Sequence, residues 1–231
     1  MQSRAPRQQS FDDHRMRSGR GGPRPGAGRK RSGRICERNE RRERFRGGKP
    51  VHVTLRVRGG LPRLRSRRLV CELRRSFGEA CERGEFRLVH YSVQHNHVHL
   101  LVEAEDQAAL GRGMKSLGAR MSRGIQRVFR VTGRVLAQRY HAHVLRTPRE
   151  VRSALAYVLL NVRKHWRERR GAAPLLRLDD ASSSRWFDGF TRELPGDRAG
   201  PREVARPRTW LLARGWRRHG LIDPATFPST G

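Results

Sequence analysis

The densest chemical signal in this sequence is a run of closely spaced histidines, Gln94-His95-Asn96-His97-Val98-His99-Leu100-Leu101-Val102. If residues 97–102 form a strand, side chains alternate between its faces. His97 and His99 then share one face, and Val98 and Leu100 the other. Two neutral imidazoles at that spacing can act as neighbouring ligands of one divalent ion. The same spacing also suits a pair of histidines on a half-buried polar face, and His95 joins that face only if the strand begins early. A second pair lies in Arg139-Tyr140-His141-Ala142-His143. Gathering His141 and His143 with His97 and His99 into a four-histidine zinc site is a rival reading.

A nucleophile is available on a different element. Tyr157 and Asn161 stand four residues apart in a stretch with helical periodicity, so they are neighbours on one helix face. At 100° per residue they lie roughly 100–140° from the centre of the apolar stripe, at its margin, where they can line a cleft beside a sheet. A tyrosine at the edge of a core and an asparagine on a polar flank is the ordinary alternative. The three cysteines, Cys36, Cys71 and Cys81, lack both disulfide-framework and zinc spacing. Ser, Asp and His form no triad or nucleophile-elbow pattern.

Several elements must position these groups. Val51, Val53, Leu55 and Val57 alternate with His52, Thr54, Arg56 and Arg58, a period-2 strand that Gly59-Gly60 ends. Leu69, Leu73 and Phe77, with Val70 and Ala80, predict a helix over 66–83 that Gly84 caps. Residues 86–93 form a strand with Phe86, Leu88 and His90 on one face. A break at 94–96 makes it a hairpin with 97–103. Asp106 caps a helix over 106–132 striped by Leu110, Met114, Leu117, Met121, Ile125 and Val128, and Gly133 ends it. Gly111, Gly113, Gly118 and Gly124 weaken that helix or permit close backbone approach. A strand follows within 135–146. Thr147-Pro148-Arg149-Glu150 is a capping box opening a helix to about residue 170, striped by Val151, Leu155, Val158, Val162 and Trp166. The order β-α-β-β-α-β-α predicts an α+β protein. Its core is the ferredoxin-like split-βαβ arrangement, an antiparallel sheet with two helices on one face and an extra C-terminal helix carrying the tyrosine.

Composition bounds the partner. Lysine and arginine total 52 against 21 acidic residues, a net charge of +31, and only Lys30, Lys49, Lys115 and Lys164 are lysines. Such a charge calls for a polyanion, and arginine pairs bidentately with phosphate. A GC-rich genome is a second source of arginine excess. Residues 1–48 are rich in Arg, Gly, Pro and Ser and are expected to be a disordered basic arm. Within it, Arg20–Arg34 reads RGGPRPGAGRKRSGR, similar to minor-groove AT-hook arms and equally to a solvated tail, with Arg24 and Arg29 as candidate DNA contacts. The domain plan is thus an arm (1–48), a catalytic core (49–170) and an appended segment (171–231), the last carrying Trp186, Phe187, Phe190, Trp210 and Trp216 and a short helix near 207–218. No apolar run is long enough to span a membrane, and no apolar stretch follows the N-terminal basic residues as in a secretory signal. With few cysteines, a reducing cytoplasm is the expected location.

Taken together, His97-Val98-His99 within Asn96-His97-Val98-His99-Leu100-Leu101, then Arg139-Tyr140-His141, then Tyr157-Val158-Leu159-Leu160-Asn161 resemble the HUH-type single-tyrosine transposases of small bacterial insertion sequences. The nearest likeness is to the REP-associated tyrosine transposases. The similarity covers roughly residues 50–170. His95 stands where relatives often have Pro or Ser, and the C-terminal segment lies outside the alignable core. The resemblance implies Mg²⁺ or Mn²⁺ held by His97, His99 and Asn161. It also implies nucleophilic attack by Tyr157 on a scissile phosphate, leaving a 5′-phosphotyrosine and a free 3′-OH. A tyrosine with an ordinary pKa near 10 needs help at neutral pH, which nearby cation charge supplies. The substrate is expected to be single-stranded or hairpin DNA, tracked by Arg112, Lys115, Arg120, Arg123, Arg127 and Arg130 on the 106–132 helix and by Arg139, Arg163 and Lys164. Either a monomer or a homodimer is compatible with it. A non-cutting, domesticated hairpin-binding relative and a histidine-metal phosphodiesterase that does not use Tyr157 are the competing readings.

Overall fold

The computed structural model describes residues 44–170 and 176–226, with the backbone alone for 162–170. Residues 1–43 of the N-terminal arm, including Arg24 and Arg29, lie outside the described residues; at its end, Phe45 is buried in the core and Gly48 N–H donates to the Glu105 carbonyl at 3.2 Å. In chain order the elements are β1 (Lys49–Arg56), α1 (Arg67–Gly78), β2 (Glu82–Arg83), β3 (Phe86–Val93), β4 (His97–Ala104), α2 (Gln107–Phe129), β5 (His141–Val144), α3 (Pro148–Arg170) and α4 (Trp210–Ala213). The five strands form one antiparallel sheet in the order β2-β3-β4-β1-β5. Leaving out the two-residue β2, this is the split-βαβ arrangement expected from the element order.

The alternation of β1 explains which face is which. Val51, Val53 and Leu55 point to a core built with Leu69, Leu73 and Phe77 of α1 and Leu110, Met114, Leu117, Met121 and Ile125 of α2. Burying such side chains stabilises by roughly 1.5–3 kcal/mol each. The opposite face carries α3, through Val151, Leu155, Val158 and Leu159 packed on Val89 and Leu101. The sheet is therefore sandwiched, with two helices on one side and the tyrosine helix on the other.

Local chemistry sets the helix ends. Ser66 Oγ accepts from Leu69 N–H at 3.4 Å, and Asp106 Oδ1 accepts from Ala109 N–H at 2.7 Å, as N-cap residues do. At α3, Thr147 Oγ1 accepts from Glu150 N–H at 3.2 Å, while the Glu150 carboxylate reaches back to Arg146 N–H at 2.7 Å. The capping box thus closes one residue further upstream than its usual form.

Four boundaries differ from the sequence reading. Helix α1 stops at Gly78 rather than running to 83, because 82–83 pair with β3. Gly84, at φ +53°, belongs to the β2–β3 turn instead of capping the helix. Helix α2 stops at Phe129, and its C-cap is Arg130 at φ 53°, not Gly133. The strand expected within 135–146 shortens to His141–Val144, with an isolated bridge at Val57–Leu136. A register shift lies between Leu88, opposite Val102, and His90, opposite Leu101. This bulge turns His90 away from Phe86 and Leu88 and onto the α3 face, where its ring meets Phe187 at 5.5 Å.

Residues 176–226 reach both sides of the sheet: Ala181 and Val204 join the core under α1 and α2, and much of the rest covers the tyrosine helix. Phe187, Leu212, Trp216 and Ile222 join the α3 cluster. Arg152 of α3 donates to the carbonyls of Gly220 and Leu221 at 3.0 and 2.9 Å. The buried Glu103 carboxylate accepts from Arg208 N–H, Thr209 N–H and Thr209 Oγ1 at 2.9, 2.8 and 2.6 Å. Tyr91 and Ser92 of β3 meet Ser183 and Ser182, which covers a strand edge otherwise open to pairing. The short helix expected near 207–218 is α4 followed by a 3₁₀ turn at Gly215–His219.

Candidate active site

The pleat of β4 puts His97 and His99 on the α3 face of the sheet. Their Nε2 atoms are 3.1 Å apart. The pairing register extends this polar face sideways, because Ser92, His99, Thr54 and His141 lie opposite one another across β3, β4, β1 and β5. Strand β1 contributes two groups from the polar half of its alternation. His52 Nε2 and Thr54 Oγ1 each stand 3.2 Å from His99 Nδ1. On the other ring, His97 Nδ1 is 2.8 Å from Asn96 Oδ1. The detectable signal for His52 and Thr54 was their alternation with Val51 and Val53, which assigns them to the face away from the apolar core.

Tyr157 reaches this cluster from α3. Its half-buried ring lies edge-on to His99, with centroids 5.0 Å apart, and to His52 at 5.8 Å. Asn161, one turn further on, is 1 % exposed, and neither of its amide atoms has a hydrogen-bond partner among the described residues. A buried amide left without a partner costs free energy unless something satisfies it. Two imidazole nitrogens at a separation suited to adjacent ligands, together with an unsatisfied amide on the neighbouring helix, form a donor set that fits a divalent cation.

Electrostatics keep His52 neutral. Burial, reinforced by the neighbouring His143 and His141, pulls the His52 pKa down to about 4. A neutral imidazole can accept a hydrogen bond from, or donate one to, the His99 ring. The four-histidine alternative does not form. His141 and His143 are exposed on the edge strand, and among the described residues no three His, Cys, Asp or Glu side chains group as a metal site. His95 is half-buried in the β3–β4 turn, and its carbonyl accepts from Leu64 N–H at 2.9 Å.

The cationic residues of α2 divide into two sets. Arg112, Arg120 and Arg127 pair with Glu85, Glu79 and Glu72 at 2.7, 2.6 and 2.9 Å. Arg123 and the C-cap Arg130 are exposed, as is Lys115. Lys115 and Arg139 share a groove of about 450 Å³ with Leu55, Gly118, Gln138 and Tyr140. Arg163 and Lys164 lie on α3 among residues whose side chains are not described.

Residues 51–158 match the model of the IS200-like transposase family. Among solved structures, a REP-associated tyrosine transposase bound to a REP hairpin aligns with 14% identity and a TM-score of 0.43, over 73% of this chain and 98% of that one. A candidate transposase from Deinococcus radiodurans R1 aligns with 17% identity and a TM-score of 0.37, over 44% of this chain and 82% of that one. No curated protein matches. No helix among the described residues is long and apolar enough to cross a membrane. The matched span runs from the first strand to one residue past Tyr157 and takes in both histidines; over it, the chain is similar to the IS200-like transposase family.

Proposed function

We propose that this protein cleaves and rejoins single-stranded or hairpin DNA through Tyr157. The observation that carries the reading is the edge-on contact of the Tyr157 ring with His99, beside the 3.1 Å His97–His99 pair of the same chain. The Tyr157 oxygen attacks the scissile phosphorus, an O–P bond forms, and the bond to the 3′ oxygen breaks. The tyrosine proton leaves and the 3′ oxygen gains one. The products are a 5′-phosphotyrosine and a free 3′-OH that can reverse the reaction and release the enzyme.

His97, His99 and Asn161 would hold Mg²⁺ or Mn²⁺, which supplies Lewis-acid polarisation of the phosphate and charge for the departing oxygen. The packing of Tyr157 against His99 and His52 fixes the nucleophile beside that point, and orientation of this kind replaces much of the entropic barrier. Because the tyrosine and the histidines come from one chain, a monomer contains a complete site. Lys115, Arg123 and Arg139 grip the DNA backbone, and the arm with Arg24 and Arg29 adds contacts to a hairpin stem. The protein works at the nucleoid in the bacterial cytoplasm.

The test is a cleavage assay on 3′-labelled hairpin oligonucleotides taken from repeats flanking the coding sequence, with Mg²⁺ or Mn²⁺. A denaturation-resistant protein–DNA adduct that disappears in Tyr157→Phe is expected. Cleavage without an adduct, unchanged in Tyr157→Phe, would replace this reading with a histidine-metal phosphodiesterase. Tight hairpin binding without cleavage across a wide oligonucleotide screen would leave a domesticated binding protein.

A further inference from the structure

His97 and His99 can serve a cation only if each presents a lone pair on Nε2, and a neutral imidazole does so only when its proton sits on Nδ1. The Nδ1–H must then be accepted by something, or a buried donor is left unpaired. For His97 the acceptor is Asn96 Oδ1, at 2.8 Å. For His99, which is 4 % exposed, the groups within reach include His52 Nε2 and Thr54 Oγ1, both at 3.2 Å. His52 makes a second contact as well, because its ring lies edge-on to Tyr157 at 5.8 Å, 70° between planes. One β1 side chain therefore touches both the histidine pair and the nucleophile.

We infer that His52 and Thr54 are positioning residues: they hold His99 in the Nδ1–H tautomer with Nε2 turned toward His97, and His52 sets the Tyr157 ring against that pair. The inference rests on reading His97 and His99 as cation ligands. Its physical basis is general, since the outer partner of a ligating histidine fixes the tautomer and ring plane, and its loss weakens metal affinity by about 10- to 100-fold. Residues 52 and 54 are suited to the role because β1 is the central neighbour of β4 and both point to the α3 face, with Thr54 directly opposite His99 in the register.

The test uses the full-length protein and Mn²⁺ alone as the probe, with isothermal titration for affinity. Imidazole ¹⁵N shifts of His99, recorded with Mg²⁺, give the tautomer. Thr54→Val, nearly isosteric, should weaken Mn²⁺ binding severalfold. Combined with His52→Phe, which keeps a ring against Tyr157 but removes the acceptor, the loss should reach about 10- to 100-fold. His99 should then lose its uniform Nδ1–H signature. Thr54→Ser and His52→Gln, which retain acceptors, should restore both readouts. In the cleavage assay the double variant should recover turnover as Mn²⁺ is raised, with DNA affinity unchanged. Wild-type Mn²⁺ affinity and an unchanged His99 tautomer in a folded double variant would overturn the inference. If His97→Ala binds Mn²⁺ as tightly as wild type, it is the cation reading that fails. The His99 tautomer then still decides the role of His52 and Thr54.

Discussion

His99 and Tyr157 meet edge-on, with ring centroids 5.0 Å apart and planes at 76°. One ring stands on the third strand of the split-βαβ core and the other on a helix packed across the opposite face from α1 and α2. The contact follows from where α3 docks. Its apolar stripe, through Val151, Leu155 and Val158, is seated on Val89 and Leu101 and closed over by Trp216 and Phe187. Tyr157 sits at the margin of that stripe and so reaches the polar patch of the sheet.

The buried Asn161 amide, without a partner among the described residues, is the third ligand of the proposed cation site. Asn161→Leu should raise the unfolding midpoint, because a buried amide without a partner among the described residues costs about 1–3 kcal/mol. The same change should lower Mn²⁺ affinity at least tenfold. Thermal melts and Mn²⁺ titration together check both. A lower midpoint with unchanged Mn²⁺ binding would show that the amide has a structural partner instead.

The division of cations on α2 predicts unequal contributions to DNA binding. Lys115→Ala should reduce the slope of log K against log salt by about 1, since an exposed cation releases condensed counterions. Arg120→Ala should change it less, because its guanidinium is committed to Glu79 at 2.6 Å. Hairpin titrations over a salt series measure both slopes. Equal slopes would show that DNA displaces Glu79.

Gly113 of α2 packs directly against Phe86 of β3. A Cβ there would run into the ring of Phe86. Gly113→Ala should destabilise by about 1–3 kcal/mol, as overpacking does. Gly111→Ala, with open space at its Cβ position, should stabilise by a few tenths to about 1 kcal/mol. Urea unfolding of both variants gives the comparison, and Phe86→Leu should rescue part of the Gly113→Ala loss.

Acid should unfold the domain through its buried imidazoles. Burial, reinforced by the charge of Arg202, lowers the His90 pKa from 6.5 to about 3. Above pH 6.5 the ring is neutral in both the folded and the unfolded chain, so it adds no pH dependence. Between about 6.5 and 3 the unfolded chain takes up the proton and the folded one does not. Stability should therefore fall as pH falls, by about 1.4 kcal/mol per pH unit from this group. Urea midpoints at pH 7 and pH 4.5 should show the drop. His90→Gln, which keeps a partner for the Ser183 hydroxyl at 3.1 Å, should shrink it.

Much of this architecture can be read from local pattern. The period-2 strands around Val51–Leu55 and His97–Val102 were legible, as were the Asp106 and Thr147 caps and the three apolar stripes. Each reflects chemistry within a few residues: pleat alternation, an orphan N–H seeking an oxygen, a helix face that must be buried. The shared face of His97 and His99 follows from pleat alternation, and the adjacency of Tyr157 and Asn161 from the i, i+4 spacing of a helix.

What lay beyond the sequence depends on long-range pairing. Nothing local announces the β3 bulge, which moves His90 to the α3 face, because a bulge is a mismatch between two strands and is invisible in either alone. The Glu72, Glu79 and Glu85 partners of the α2 arginines come from other elements, so charge count alone could not separate Lys115 from Arg120. The contributions of His52 and Thr54 waited on the β1–β4 register, and only the docking of α3 brought Tyr157 against them. Residue types and spacing by themselves specified the elements and the candidate ligands. Tertiary packing decided which side chains meet, because strand register and helix docking are set by the burial of whole faces.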